Sequence, residues 1–199
     1  MKLRILHIGE ETLRAPSEPV KEINDDLRQL VKDMFETMYQ ANGVGLAAPQ
    51  VGRNLMLFIV DTDGKSPMVF INPRIMKTSG KEVCEEGCLS IPGFREDVQR
   101  AKKVICRATD VDGQDYEVEA EGLMSRAIQH EFDHLEGVLF VDRISKARRM
   151  QIRDVIDRLN HGDLSVIEEL EEDEEPGAEE SGSDEHHEKQ AGTAQPALS

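Results

Sequence analysis

His130-Glu131-Phe132-Asp133-His134 is the segment whose residue types and spacing point most directly to chemistry. Residues four apart on a helix lie on one face, one turn from each other. His130 and His134 can therefore offer imidazoles to one metal ion, and Glu131, next to the first of them, can bring a carboxylate to a water beside that ion. This is the arrangement for metal-assisted hydrolysis. The alternative is a pair of solvated histidines on an exposed helical face. Only six histidines occur in the chain and the motif lies in a helix with an apolar stripe, which favours the site.

Two imidazoles do not complete a catalytic metal site; a third protein ligand and an open position are needed. The best candidate lies upstream, in Glu86-Gly87-Cys88-Leu89-Ser90. Cys88 ends an expected strand and follows a glycine that allows close backbone approach. A thiolate with two imidazoles suits zinc or ferrous iron. Alone, Cys88 reads as a core cysteine, as do Cys84 and Cys106 in their strand-like runs. A zinc peptidase shares the two-histidine helix but usually draws its third ligand from downstream, where only His161, His186 and His187 are found. A non-enzymatic metal-binding protein is a further alternative, and it would need no Glu131.

The elements that must position these residues follow from periodicity. Residues 22–41 read as an amphipathic helix with Asn24 or Asp25 as cap and Asn42-Gly43 as its end. Gly43-Val44-Gly45-Leu46-Ala47-Ala48-Pro49-Gln50 carries little ordinary secondary-structure signal. Strands are expected at 55–61, at 68–75 with an interruption at Asn72-Pro73, at 81–89 and at 98–109. Asp112-Gly113 marks a hairpin between 104–110 and 116–120. Residues 123–136 form the helix of the motif, closed by Gly137 and buried through Ala127, Ile128 and Phe132. A last helix is expected over 145–160, capped by Ser145. This order gives an α+β fold rather than a doubly wound sheet.

Of the net charge of −16, residues 168–199 hold 12 acidic side chains against one Lys, leaving −5 for the rest. Such a stretch cannot bury enough apolar surface to fold, so a domain over 1–165 and a disordered acidic tail over 166–199 are expected. The chain opens with Met-Lys-Leu-Arg and reads as complete. It shows no secretory leader, no apolar run long enough for a bilayer and, with three cysteines lacking paired spacing, no disulfide framework. A reducing cytoplasm is the expected compartment. The negative charge argues against general nucleic-acid binding by the domain as a whole, and no specific DNA partner is expected.

Taken together, the segments Gly43–Gln50, Glu86–Ser90 and Gln129–His134 resemble the peptide deformylase family, in the family's order. The resemblance spans about residues 3–158 and is to the bacterial type with a C-terminal helix. It implies antiparallel sheets around a central metal-binding helix, and removal of the formyl group from the N-terminal methionine of nascent polypeptides. It implies that Cys88, His130 and His134 bind one divalent metal, Fe2+ in cells, with Zn2+, Ni2+ or Co2+ also compatible. Glu131 would be the acid/base, and Gln50 and the backbone N–H of Leu89 would stabilise the oxyanion. Gly45 would offer its backbone to the substrate and Arg95 would lie near the peptide's far end.

Around the methionine side chain, Val44, Leu123 and the alkyl stem of Arg126 are wall candidates, with the Arg126 head reaching solvent. Asp133 reads as structural and Glu86 as an acceptor for a ligand histidine. Lys146, Arg148, Arg149, Arg153 and Arg158 make the last helix basic. The resemblance makes docking to the ribosome one reading of that helix, and a merely solvated face the other.

Overall fold

The computed structural model describes residues 1–174. Among the described residues, seven strands form two antiparallel sheets. The larger has the order β1-β2-β3-β6-β7, with β1 Gly45–Ala47, β2 Leu57–Val60, β3 Met68–Ser79, β6 Lys103–Thr109 and β7 Asp115–Glu121. The smaller pairs β4 Glu82–Cys88 with β5 Ile91–Arg100. Five helices accompany them: α1 Asp25–Gln40, α2 Gly122–Leu135, α3 Lys146–Gln151, α4 Arg153–Asn160 and α5 Ser165–Glu174.

Side chains of a strand alternate between faces, and β2 uses both. Leu57 and Ile59 join Leu27, Val31, Met34 and Met38 of α1 on one side. Phe58 and Val60 join Ala127, Ile128 and Leu135 of α2 on the other. Phe132, expected on the buried face, is only half-buried against that cluster. A third cluster backs the β4–β5 hairpin: Cys88, Ile91, Phe94 and Val98 pack against Phe140, Ile156, Leu159, Val166 and Ile167. The helix carrying the histidines thus lies between the two sheets.

Local chemistry explains the ends of the elements. The Asn24 carboxamide accepts from Leu27 N (3.0 Å) and caps α1. Gly137 follows α2 with φ +72°, and a side chain there would meet the Arg14 carbonyl oxygen at 2.5 Å, so only glycine fits.

The structure corrects four expectations. The stretch 98–109 is not one strand: β5 begins at Ile91, runs through Pro92-Gly93 and turns into β6 after Arg100. Next, β3 continues through Asn72-Pro73 because a register irregularity absorbs them. Asn72 sits at φ +49° there, and its carboxamide bonds both Val20 N and Val20 O. The expected helix over 145–160, capped by Ser145 as foreseen, breaks at Ile152 into α3 and α4. Finally, the acidic stretch opens not as a tail but as α5, whose Val166 and Ile167 are buried. The remainder, residues 175–199, lies outside the described residues.

Candidate active site

Cys88 is the last residue of β4, where a two-residue turn, Leu89-Ser90, leads into β5. His130 and His134 lie one turn apart on α2. Pairing the hairpin tip with this helix face brings the three side chains together: their ligand atoms lie within 4.8 Å of one another and all three residues are buried. The Cys88 Sγ is 3.4 Å from His134 Nε2. The two imidazole rings meet edge to face at 5.2 Å. Glu131, between them in sequence, is fully buried.

The surroundings suit a cation. His130 Nδ1 faces the Glu86 carboxylate at 3.1 Å, which leaves Nε2 for the interior, where it is buried with no hydrogen-bond partner in the protein. A buried ring nitrogen so placed costs free energy unless something binds it. Burial pushes the Cys88 thiol up, but the charge of His134 and the closeness of both imidazoles outweigh it and hold the group well below the ordinary thiol range. The donor set, one thiolate and two imidazoles, is that of a borderline-soft divalent ion, and the residues present fit such an ion.

A charged frame stands behind these side chains. The Arg100 guanidinium donates through Nε (2.8 Å) and Nη2 (2.9 Å) to Glu86, and through Nη1 (2.5 Å) to Asp133. Asp133 also accepts from Arg143 (2.6 and 3.1 Å). Burial raises the Glu86 carboxyl, but hydrogen bonds from His130 and Arg100 bring it down to about 2. Asp133 thus holds a neighbouring segment, as its position on α2 suggested, and Glu86 meets His130, one of the candidate ligands, as expected. Arg100 was missed by sequence reasoning. Its signal is that it follows Val98 by two on the inward face of β5, and that face becomes visible only once β5 is recognised as a strand.

Gln50 is buried on the other side. Its Oε1 accepts from Ala47 N (2.8 Å), and its Nε2 donates to Ser90 Oγ (3.1 Å) and toward Cys88 Sγ (3.6 Å). Segment 43–50, which carried no clear signal, holds this amide in place through β1 and a 3-10 turn over Ala48–Val51. Leu89 is half-buried at the hairpin tip and Val44 is buried. Gly45 lies on β1 directly against Glu131. Leu123 is half-buried at the start of α2. Arg95, on β5, lies further out and pairs with Glu85 at 3.3 Å.

The expectation for Arg126 is corrected in one respect. Its head does not reach solvent: the side chain is 10% exposed and Nη1 lies 3.5 Å from Glu82 Oε2.

A helix with two histidines and a glutamate, a strand-end cysteine and an antiparallel α+β frame together define a metal-dependent hydrolase. Residues 2–150 match the family described as Polypeptide deformylase. The peptide deformylase of Clostridium botulinum is 54% identical over 147 residues, covering 73% of this chain and 99% of that protein. That of Alkalilimnicola ehrlichii is 48% identical over 160 residues, covering 79% and 90%. The crystal structure of a peptide deformylase from Legionella pneumophila superposes with a TM-score of 0.75 at 40% identity, covering 88% of this chain and all of that one. The chain belongs to the polypeptide deformylase family, metal-dependent enzymes that remove the N-formyl group from nascent polypeptides.

Proposed function

We propose that Cys88, His130 and His134 hold one divalent ion, Fe2+ in cells, and that Glu131, Gln50 and Leu89 carry the hydrolysis of the N-terminal formyl group of formyl-methionyl peptides. The convergence of the three ligand atoms beside a buried glutamate supports this reading most directly. Zn2+, Ni2+ and Co2+ fit the same donors, and availability decides among them. When bound, the ion supplies Lewis acidity at neutral pH.

The protein's own groups do the rest. Glu131 takes a proton from water as the water attacks the formyl carbon, and passes it to the departing amine nitrogen as the C–N bond breaks. Formate and a free amino terminus result. The Gln50 Nε2 and the Leu89 backbone N–H donate to the formyl oxygen as charge develops there. For Gln50 this means turning an N–H from Ser90 and Cys88 to the substrate.

Gly45 offers its backbone to the peptide, Arg95 lies toward the peptide's far end, and Val44, Leu123 and Arg126 surround the methionine side chain. The Arg126–Glu82 pair would close that pocket. Arg126→Ala is expected to raise KM for formyl-Met peptides, and an unchanged KM would remove Arg126 from the pocket.

Nascent-chain substrates support a cytoplasmic location. The chain has no described helix long and apolar enough to cross a membrane. Docking to the ribosome would use the basic residues of α3 and α4.

The test is formate release from formyl-Met-Ala-Ser by protein loaded anaerobically with Fe2+, beside Glu131→Ala and Cys88→Ala. Metal-dependent release that Glu131→Ala loses while still binding metal supports the assignment. No release from folded, metal-loaded protein would overturn it.

A further inference from the structure

Gly45 occupies an unusual place opposite α2. A Cβ added to it would lie 2.8 Å from Cδ and 3.0 Å from Cγ of Glu131, and nearer still to Oε1. The three nearest heavy atoms all belong to this one side chain. The backbone does not ask for glycine here. Gly45 is not among the positive-φ residues, and it is an extended strand residue paired with Val60. What excludes a side chain is the glutamate itself.

We infer that Gly45 is a positioning residue for Glu131: its missing side chain is the slot in which the Glu131 carboxylate lies. The inference deepens, and rests on, the reading of Glu131 as the proton carrier. Glu131 has three rotatable bonds between α2 and its carboxylate, and helix geometry alone does not decide where the oxygens rest. A bare stretch of β1 lets them lie against the strand. A methyl group there would push the carboxylate back by about 1 Å to restore ordinary contact. A displacement of that size at a reacting group costs on the order of 100-fold in rate. Contact of substrate with the Gly45 backbone is a separate matter, because alanine keeps the same N–H and C=O.

The experiment is a double-mutant cycle on the full metal-loaded chain: wild type, Gly45→Ala, Glu131→Ala and the double variant. Tm, metal content, kcat and KM for formyl-Met-Ala-Ser are measured on each. Gly45→Ala is expected to lower kcat about 100-fold, with KM and metal content little changed, and to lower Tm. In the Glu131→Ala background it should no longer lower Tm or the residual rate, since no carboxylate remains to be displaced. Equal losses of Tm in both backgrounds would overturn the inference. So would a raised KM with kcat kept, which would assign Gly45 to substrate contact alone. If Gly45→Ala does not fold, a double variant that folds supports the slot and one that does not counts against it. Failure of the catalytic reading shows separately, as a wild-type protein that releases no formate; the Tm cycle then decides the slot by itself.

Discussion

The Glu86 carboxylate faces the ring of His130 on one side and grips Arg100 on the other. It orients the ring and supplies negative charge behind it, which strengthens the opposite nitrogen as a donor. Glu86→Gln is expected to lower metal affinity roughly 10–100-fold, measured by competition with a chelator, without unfolding the protein. Arg100→Met does something different. It leaves two buried carboxylates, Glu86 and Asp133, without their shared cation, and a cost of roughly 3–5 kcal/mol in urea unfolding is expected. If Gln50 donates to the formyl oxygen, Gln50→Ala removes that donor, and a loss of roughly 3 kcal/mol of transition-state stabilisation in kcat is expected. At this scale the convergence of Cys88, His130 and His134 is legible from residue type and helical spacing, because two imidazoles four apart share one helical face. Arg100 is not, because an arginine in a stretch whose strand boundaries are unknown has no readable direction.

The elements differ in how much they reveal before folding. The α1 and α2 helices carry strong apolar stripes and definite ends, so their positions follow from the chain. Pro92-Gly93 hides β5, since neither residue favours a strand, yet the hairpin with β4 accommodates both. The break at Ile152 has no proline or glycine to announce it. The start of α5 is masked by its acidic composition: Val166, Ile167 and Leu170 are its few apolar residues, and all three join the cluster behind Cys88. The Arg158 guanidinium fastens this helix through both Glu169 oxygens (2.5 and 2.8 Å) and through Asp163 (2.7 Å). Ile167→Ala is therefore expected to cost about 2 kcal/mol, read from denaturant midpoints; a neutral result would mean that α5 is not packed in solution. Gly137→Ala should cost at least as much, because it forces a left-handed backbone on an L-residue and drives a methyl into the Arg14 carbonyl.

For the whole molecule, charge is distributed unevenly. The basic residues of α3 and α4 are largely engaged within the fold: Arg148 with Glu96, Arg149 with Asp142, Arg158 with Asp163 and Glu169. Residues 175–199 add six acidic side chains and one Lys. If α3 and α4 meet the ribosome, that acidity opposes the contact. Removing 175–199 is then expected to raise co-sedimentation with ribosomes at low salt, with the gain fading as salt screens it. Cutting after Glu174 keeps the Arg158–Glu169 pair and α5 intact, and equal binding would rule out an opposing tail.

The two ends of the domain also interlock. Gly9 packs on Gly162 so closely that a methyl on Gly9 would meet the partner's Cα at 2.6 Å, and Arg14 reaches Asp142 and Asn160. During synthesis, both imidazoles and the thiol are made before Ile156, Leu159, Val166 and Ile167, which pack in the apolar layer with Cys88. Closure across the full length of a chain is slow compared with local structure. If Cys88, His130 and His134 hold the metal, a chain under synthesis is therefore expected to complete that pocket only after α5 has emerged.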